Sequence, residues 1–300
     1  MNESMAFLLI LVSCALHVAW NAISKGCRDR EAYTWLVTFT GTIAVLPCFI
    51  IAQIWSPGSF GWRELAYAAA SGLFESIYTI FLFWSYKHVD MSVAYPLGRG
   101  VAPVATLFLG ILIGDAIKAG QIPAVATTLA GICCLSWEAH RSAKGKSPLG
   151  NASPHFGVLL ALLTGCSIAC YHIVDRGVFN VTAKPNSLVY LFAMHCFMLL
   201  FISIWMLPRR KAFVRIALEW KASPASAMAV GAVSFIAYFL VVLALQIGNA
   251  TMVTAGRNIG IVLSIAVGAL FLKERLSVAK AIGAVLVTAG VIMIFFAGNH

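Results

Sequence analysis

The sequence predicts an all-α integral membrane protein with ten transmembrane helices, arranged as two inverted five-helix repeats. Three observations lead to this fold class. The 300-residue chain is 61 % hydrophobic and only 11 % charged, with a mean hydropathy of +0.89, which is too apolar for a soluble protein of this length. Its apolar residues form long stretches between short polar breaks. The second half of the sequence also partly repeats the first.

Ten stretches are long enough to cross a bilayer, because a hydrocarbon core of about 30 Å needs about 20 apolar residues in a helix. Strands are excluded, since a spanning strand has about 10 residues of alternating polarity and must close into a barrel. Polar, glycine or proline residues separate the stretches, as "KGCRDR" does after the first and "KHVD" after the third. In order, the predicted spans are 5–24, 33–54, 65–86, 91–114, 117–137, 155–177, 186–207, 225–247, 250–272 and 277–297.

The net charge of +10 lies mainly in the loops. Apart from Arg99 and Arg257, 15 Lys and Arg fall in the odd-numbered loops and 4 in the other loops and the termini, when Lys118, Arg176 and Lys280 at the span ends are counted in the adjoining loops. The positive-inside rule therefore places the odd loops in the cytoplasm and both termini outside. The richest loop, 208–224, is interpreted as a cytoplasmic anchor that contacts anionic lipid, not nucleic acid. We expect a multi-pass protein of the cytoplasmic (inner) membrane whose first helix is retained, because no cleavable signal peptide is visible.

An internal match relates the two halves. Gly98 and Arg99 align with Gly256 and Arg257, and after one inserted residue Gly131 aligns with Gly290. The match predicts one five-helix repeat at 1–137, a polar linker at 138–154 and a second repeat at 155–300.

Five helices is an odd number, so the second copy must enter the membrane from the opposite side. Inverted repeats of this kind are typical of secondary transporters, whose site lies near the midplane between the halves.

Other motifs strengthen this interpretation. An acidic residue precedes a glycine-containing helix in both "GDAIKAGQIPAVATTLAG" and "LKERLSVAKAIGAVLVTAG", and "LHVAWNAISKG" closes the first span. Together with the 5+5 plan, these motifs resemble the EamA family of the drug/metabolite transporter superfamily over essentially the whole chain. The resemblance implies transport of metabolites such as amino acids through a central cavity lined by both halves. "LHVAWNAISK" is similar to a subgroup associated with phosphonate utilisation, and the cargo stays open.

Four ionisable residues within or near the spans need an explanation: Glu75, Arg99, Asp175 and Arg257. A charge at the bilayer centre costs about 2.5–3.5 kcal/mol, so such residues face a wet cavity or a partner and suggest a functional site. Because the third and fourth helices are joined by a short loop, we expect them to pack as an antiparallel pair. One interpretation is a structural Glu75–Arg99 ion pair; the other is that one or both residues line a substrate cavity.

The two arginines favour a substrate that carries a carboxylate, phosphonate or sulfonate, because guanidinium groups bind such anions through two hydrogen bonds. If Glu75 also faces the cavity, it would pair with a substrate amine, and the substrate would be zwitterionic. Aromatic and amide side chains near the spans complete the candidate set. The predicted substrate-binding residues are Arg99, Arg257, Glu75, Trp20, Asn21, Tyr78, Tyr95 and Asn258.

Proton coupling has three candidates: Glu75, His195 and Asp175. His17 and His172 also lie in or near spans, without an assigned role. The alternatives to a secondary transporter are an intramembrane serine hydrolase that uses Ser167, and a passive channel or scramblase on the same fold. The sequence contains no metal-site or nucleotide-binding motif, so neither a cofactor nor enzymatic activity is expected. The expected partners are a small-molecule substrate and the bilayer, without nucleic acid, for a monomer or homodimer.

Overall fold

The computed structural model describes residues 2–55, 61–112, 119–143, 153–181, 186–247 and 257–299, and over these residues the chain forms eleven helices and no strand. Helices satisfy their backbone hydrogen bonds internally, which an apolar chain in lipid requires. Their bounds are α1 Asn2–Ser24, α2 Arg30–Trp55, α3 Trp62–His88, α4 Met91–Leu112, α5 Gln121–Ala143, α6 Pro154–Val181, α7 Ser187–Met206, α8 Ala212–Ala222, α9 Pro224–Ile247, α10 Ile259–Leu270 and α11 Val278–Asn299.

Seven of these helices are long and apolar enough to cross a membrane, namely α1, α2, α3, α5, α6, α7 and α9. Helices α10 and α11 are apolar over shorter lengths. The all-helical membrane fold is therefore confirmed, whereas the count of ten spans stays a prediction. Residues 250–256 of the predicted span 250–272, and the end of 91–114, lie outside the described residues.

Helix α8 lies in the segment 208–224, which the sequence analysis treats as a basic loop. Its Phe213 and Leu218 side chains are exposed, while Glu219 is buried and accepts the backbone N–H of Asp29 at 2.9 Å. A short helix with an apolar exposed face and basic neighbours is typical of the membrane interface. This basic segment thus contains a helix that the apolar-span analysis missed, because the helix is too short and too polar to cross a bilayer.

The helices of the two halves interleave. Helix α1 packs along α9, and α6 packs along α3; likewise α10 contacts α1 and α4 contacts α6. These four contacts form two pairs, and an exchange of the two repeats converts one member of each pair into the other. Helices α3 and α4 make few contacts with each other, because α6 packs against both. The prediction that they form an antiparallel pair is therefore wrong.

The crossing of α5 and α11 shows the pseudo-twofold relation at atomic detail. A Cβ at Gly131 would lie 2.6 Å from the backbone nitrogen of Val287, and a Cβ at Gly290 would lie 2.5 Å from the backbone nitrogen of Thr128. The same 159 positions separate Gly131 from Gly290 and Thr128 from Val287. Glycine is required at both sites because the backbones approach too closely for a side chain. The aligned glycines therefore make equivalent contacts: Gly131 of α5 packs against the backbone of α11, and Gly290 of α11 packs against the backbone of α5.

Candidate functional site

Two adjoining cavities lie inside the helix bundle. The larger has a volume of about 690 Å³, counted to its open mouth, and is lined from α1, α2, α3, α6, α7 and α9. The smaller, of about 240 Å³ when its open mouth is counted in the same way, lies between α1, α4 and α9. Three residues line both: His17, Tyr238 and Arg257. The cavities therefore bring together residues from both repeats.

Arg99 of α4 lies in the wall of the smaller cavity and is 8 % exposed. Its Nη2 donates a hydrogen bond to His17 Nε2 at 2.8 Å, and its guanidinium carbon lies 5.5 Å from the centroid of the Tyr95 ring. A guanidinium group can only donate, so Nε2 of His17 must be an unprotonated acceptor and the imidazole is neutral. Arg99 is thus held by a neutral ring and an aromatic face.

Arg257, just before α10, repeats this arrangement in the second half. Its Nη1 donates to His172 Nε2 of α6 at 3.0 Å. Helices α1 and α6 correspond in the two repeats, as do α4 and α10. The molecule therefore contains two pseudo-symmetric arginine–histidine pairs, and both arginines border a cavity.

Glu75 of α3 lines the larger cavity, as Arg257 does. It is buried. Among the described residues no ion pair joins it to Arg99, because α3 and α4 make few contacts with each other. The interpretation of a structural Glu75–Arg99 pair is therefore wrong for this conformation. Contact of Glu75 with a substrate or a proton stays a prediction.

Asp175 of α6 lies behind the cavities. Its Oδ1 accepts the hydroxyl of Tyr190 at 2.6 Å, and its Oδ2 accepts the hydroxyl of Tyr238. Tyr238 lines both cavities, so it connects the carboxylate to them. Hydrogen bonds from two hydroxyl groups satisfy a buried carboxylate without a basic partner.

The predicted aromatic residues are divided between the cavities. Trp20 and Tyr78 line the larger cavity, and Tyr95 lines the smaller one. Tyr78 also places its hydroxyl 3.4 Å from His17 Nε2. These three side chains therefore surround the Arg99–His17 pair.

The two predicted amides lie elsewhere. Asn21 is fully buried; its Nδ2 donates to the backbone oxygen of His17 and its Oδ1 accepts the hydroxyl of Tyr86 at 2.7 Å. Asn258 is also buried and precedes α10. Neither belongs to the lining of the two cavities, so their proposed contact with substrate stays a prediction.

His195 of α7 lines the larger cavity, and its Nδ1 lies 2.9 Å from the backbone oxygen of Leu191. Ser167 of α6, the nucleophile of the alternative hydrolase, donates its hydroxyl to the backbone oxygen of Leu163 at 2.9 Å. In the described residues no hydrogen bond joins Ser167 to His172, which pairs with Arg257 instead. The Ser167 hydroxyl is therefore hydrogen-bonded within its own helix.

The sequence analysis assigned no role to His17 and His172, although both contact the predicted arginines. A signal was present, because each of the corresponding helices α1 and α6 carries a histidine. The alignment of "ALHVAWN" with "ACYHIVD" places His17 opposite Tyr171, and a shift of one residue would have placed it opposite His172.

A second polar cluster lies near the ends of α1 and α3. Glu274 forms an ion pair with Lys25 and accepts the backbone N–H of Met91 and Ser92, at 2.8 and 3.0 Å, at the start of α4. Burial raises the pKa of the Glu274 carboxyl, but Lys25 and the donors of Ser92 outweigh burial and hold this pKa below its ordinary value. The first repeat is thereby fastened to the loop between α10 and α11.

Comparison with known proteins identifies one family. A model of the EamA-like transporter family matches residues 4–137 and 155–296. No curated protein matches the chain significantly. A solved structure titled "Crystal structure of protein" is 18 % identical and superposes with a TM-score of 0.57, covering 97 % of this chain and 96 % of that chain. At this identity the likeness concerns the fold alone, and it extends over nearly the full length of both chains.

Proposed function

Because the chain belongs to the EamA-like transporter family, we propose that it is a secondary transporter whose cargo is a small anionic or zwitterionic metabolite, amino-acid-like or phosphonate-like. Transport would proceed by alternating access, with the cargo bound between the two repeats. The family supplies the general activity, transport across a membrane. The chemistry of the cavity wall is our reason for the class of cargo.

The observation that carries this proposal is the set of hydrogen-bond partners of Arg99 and Arg257. Each guanidinium has five N–H donors, and each donates one of them to a neutral histidine. Over the described residues neither arginine has a carboxylate within ion-pair distance. Arg99 is buried and Arg257 is partly buried. A cation in such a place without an acid is costly, and an acidic ligand bound by the remaining donors would offset that cost.

Glu75 supports the zwitterionic form of the proposal. Its carboxylate lies on the wall of the larger cavity, which also contains His17 and Arg257. A substrate with an acidic group at the arginines would place an amine on the Glu75 side. Tyr78 and Tyr171 lie on the same wall, and their faces would favour a cationic group further.

A thermal-shift screen of the purified protein tests the cargo class directly. Anionic, zwitterionic and cationic metabolites are added to wild type, Arg99→Gln and Arg257→Gln, and the unfolding temperature is measured. A ligand at 100 times its Kd adds about 2.7 kcal/mol of stability, which is easily detected. We expect acids or zwitterions to stabilise the wild type and to lose this effect in both variants.

The matched control is Arg63→Gln, since Arg63 is exposed and rests on the Trp62 ring away from the cavities. It should keep the full response. Stabilisation by lipophilic cations alone, or responses that neither Arg99→Gln nor Arg257→Gln alters, would contradict the proposed cargo class and leave Glu75 as the residue to pursue.

The alternative functions have less support. A serine hydrolase needs a base beside Ser167, whereas this hydroxyl bonds to a backbone oxygen of its own helix. A passive channel or scramblase would share the fold, so the distinguishing measurement is uptake into proteoliposomes. Accumulation against a gradient that depends on protons or counter-substrate indicates a transporter, and equilibration only indicates a channel.

The proposed orientation has ten spans with both termini outside the cytoplasm, in the inner membrane. It is supported by the distribution of basic residues, 15 in odd-numbered loops against 4 elsewhere, under the positive-inside rule. A reporter fused after His300 that is active only in the cytoplasm should be silent. An active reporter would reverse the orientation.

A further inference from the structure

We propose that an acidic substrate is bound together with one proton, which is taken up by Nε2 of His17 when the Arg99–His17 hydrogen bond opens. This proposal rests on the proposed function, because it requires an anion at Arg99. It makes His17 the residue that couples substrate to protons, a role for which the sequence had suggested Glu75, His195 and Asp175.

The first argument is the hydrogen-bonding chemistry of the two ring nitrogens. Nε2 of His17 lies 2.8 Å from a nitrogen of Arg99, and Nδ1 lies 3.3 Å from Nε1 of Trp20. Guanidinium and indole N–H groups are donors only. A neutral imidazole can accept one of these bonds, and an imidazolium, with a proton on each nitrogen, can accept neither. The observed geometry therefore excludes the protonated ring while Arg99 is paired to it.

The second argument concerns what an anion would change. A carboxylate, phosphonate or sulfonate oxygen at Arg99 would accept the Nη2 hydrogen that His17 now accepts. Nε2 would then face an oxygen atom. With a proton from water, Nε2–H donates to that oxygen, and the new N–H bond adds a positive charge beside a negative one. Anion binding and protonation of His17 thus favour each other, and this coupling is reciprocal.

The charges around His17 point in the same direction. The surrounding groups include two arginines and one cavity-wall carboxylate, so a third cation is unfavourable until an anion arrives. By element, the charged and titratable groups around the ring and its cavities are Cys14 on α1, Glu75 and Tyr78 on α3, Tyr95 and Arg99 on α4, Tyr171 on α6, His195 on α7, Tyr238 on α9 and Arg257 before α10.

The second repeat supports the assignment independently. His172 accepts a hydrogen bond from Arg257 through the same ring nitrogen, Nε2, at 3.0 Å. The same donor–acceptor logic therefore operates on both sides of the pseudo-twofold axis. One such pair would be explained as local packing, but its recurrence at corresponding helices indicates a feature of the site.

The test uses methanesulfonate as the probe, because this anion does not titrate between pH 5 and 9 and any proton taken up must go to the protein. Binding to the purified full-length protein is measured by calorimetry in two buffers of different ionisation enthalpy at each pH. We expect uptake of up to one proton per anion through His17, with Kd rising up to tenfold per pH unit between the pKa of His17 in the free protein and its pKa in the complex.

His17→Gln retains an acceptor oxygen for Arg99 but cannot be protonated. It should bind methanesulfonate without the uptake at His17 and with a correspondingly flatter pH dependence, while His155→Gln, which removes an exposed imidazole, should behave as wild type. Wild-type binding without proton uptake, or unchanged uptake in His17→Gln, would overturn this inference and leave the proposed function intact. Failure of methanesulfonate to bind at all would contradict the arginine anchor and the inference together. The wild-type proton count decides the matter even if His17→Gln does not fold.

Discussion

Replacement of Glu274 by glutamine should destabilise the protein by about 2–3 kcal/mol. The carboxylate is buried, with 4 % of its side chain exposed, and its partner Lys25 is 19 % exposed. Breaking a buried ion pair costs about 3–5 kcal/mol, and partial hydration of Lys25 reduces that figure. Glutamine keeps one oxygen for the two backbone N–H groups at the start of α4, so one of these groups also loses its acceptor and adds to the cost.

The assay is the unfolding of purified protein in detergent, performed as a double-mutant cycle with Lys25→Met. The two changes should couple by about 1–3 kcal/mol, as expected for residues in direct contact. Arg275→Gln serves as the control, because this neighbouring side chain is exposed and its change should lie within about 0.5 kcal/mol. A coupling energy near zero would refute the reasoning.

The same pair predicts a pH dependence. The folded-state pKa of Glu274 is lower than its ordinary value of 4.5, so ionisation of this carboxyl stabilises the fold. That contribution is fully present above the unfolded pKa and is lost as the pH falls through the folded pKa. The stability difference between wild type and Glu274→Gln should therefore be largest above about pH 5 and shrink below pH 4.5. A difference that stays constant through this range would show that the charge of Glu274 is not the source.

Three further outcomes are expected from unfolding measurements. Gly290→Ala should cost about 1–3 kcal/mol, because the new Cβ would lie within 2.8 Å of backbone atoms of α5. The control Gly26→Ala should cost little, since the nearest atom to its Cβ would be 3.6 Å away. Equal effects of the two substitutions would contradict the close crossing of α5 and α11. Asp175→Asn should cost about 1–3 kcal/mol, since the amide offers one acceptor to two tyrosine hydroxyls, and an unchanged unfolding temperature would refute this. Arg215→Gln removes two hydrogen bonds to Asp29, at 2.6 and 2.7 Å. The Arg215 and Asp29 side chains are 30 % and 27 % exposed, so the change should cost about 1 kcal/mol of stability. A loss of stability that 1 M salt does not reduce would argue against an electrostatic origin.

Much of the site was visible in the sequence because the cost of burying charge in a membrane is a local property. Arg99, Arg257 and Glu75 stand out in apolar stretches wherever the helices pack, and the structure places all three beside the cavities. The glycine match of Gly131 and Gly290 was equally readable, because a repeated sequence must form repeated contacts.

The partners of these residues were not readable, because partner choice depends on which helices become neighbours. The short loop between α3 and α4 suggested that Glu75 would neutralise Arg99, but α6 packs against both helices. Arg99 consequently meets His17 of α1, which is 82 positions away in the chain.

The sequence by itself determined the membrane environment, the all-helical class and the two-repeat plan, because hydropathy and internal repetition act along the chain. Only the tertiary structure decided that each arginine pairs with a neutral histidine, that Asp175 is held by tyrosine hydroxyls, and that the segment 212–222 forms a helix. The first two outcomes depend on distances between helices that are remote in sequence. The third was missed because a short amphipathic helix is difficult to recognise by hydropathy among longer apolar spans. Interleaving of the two repeats sets these distances, and no single stretch of sequence contains that information.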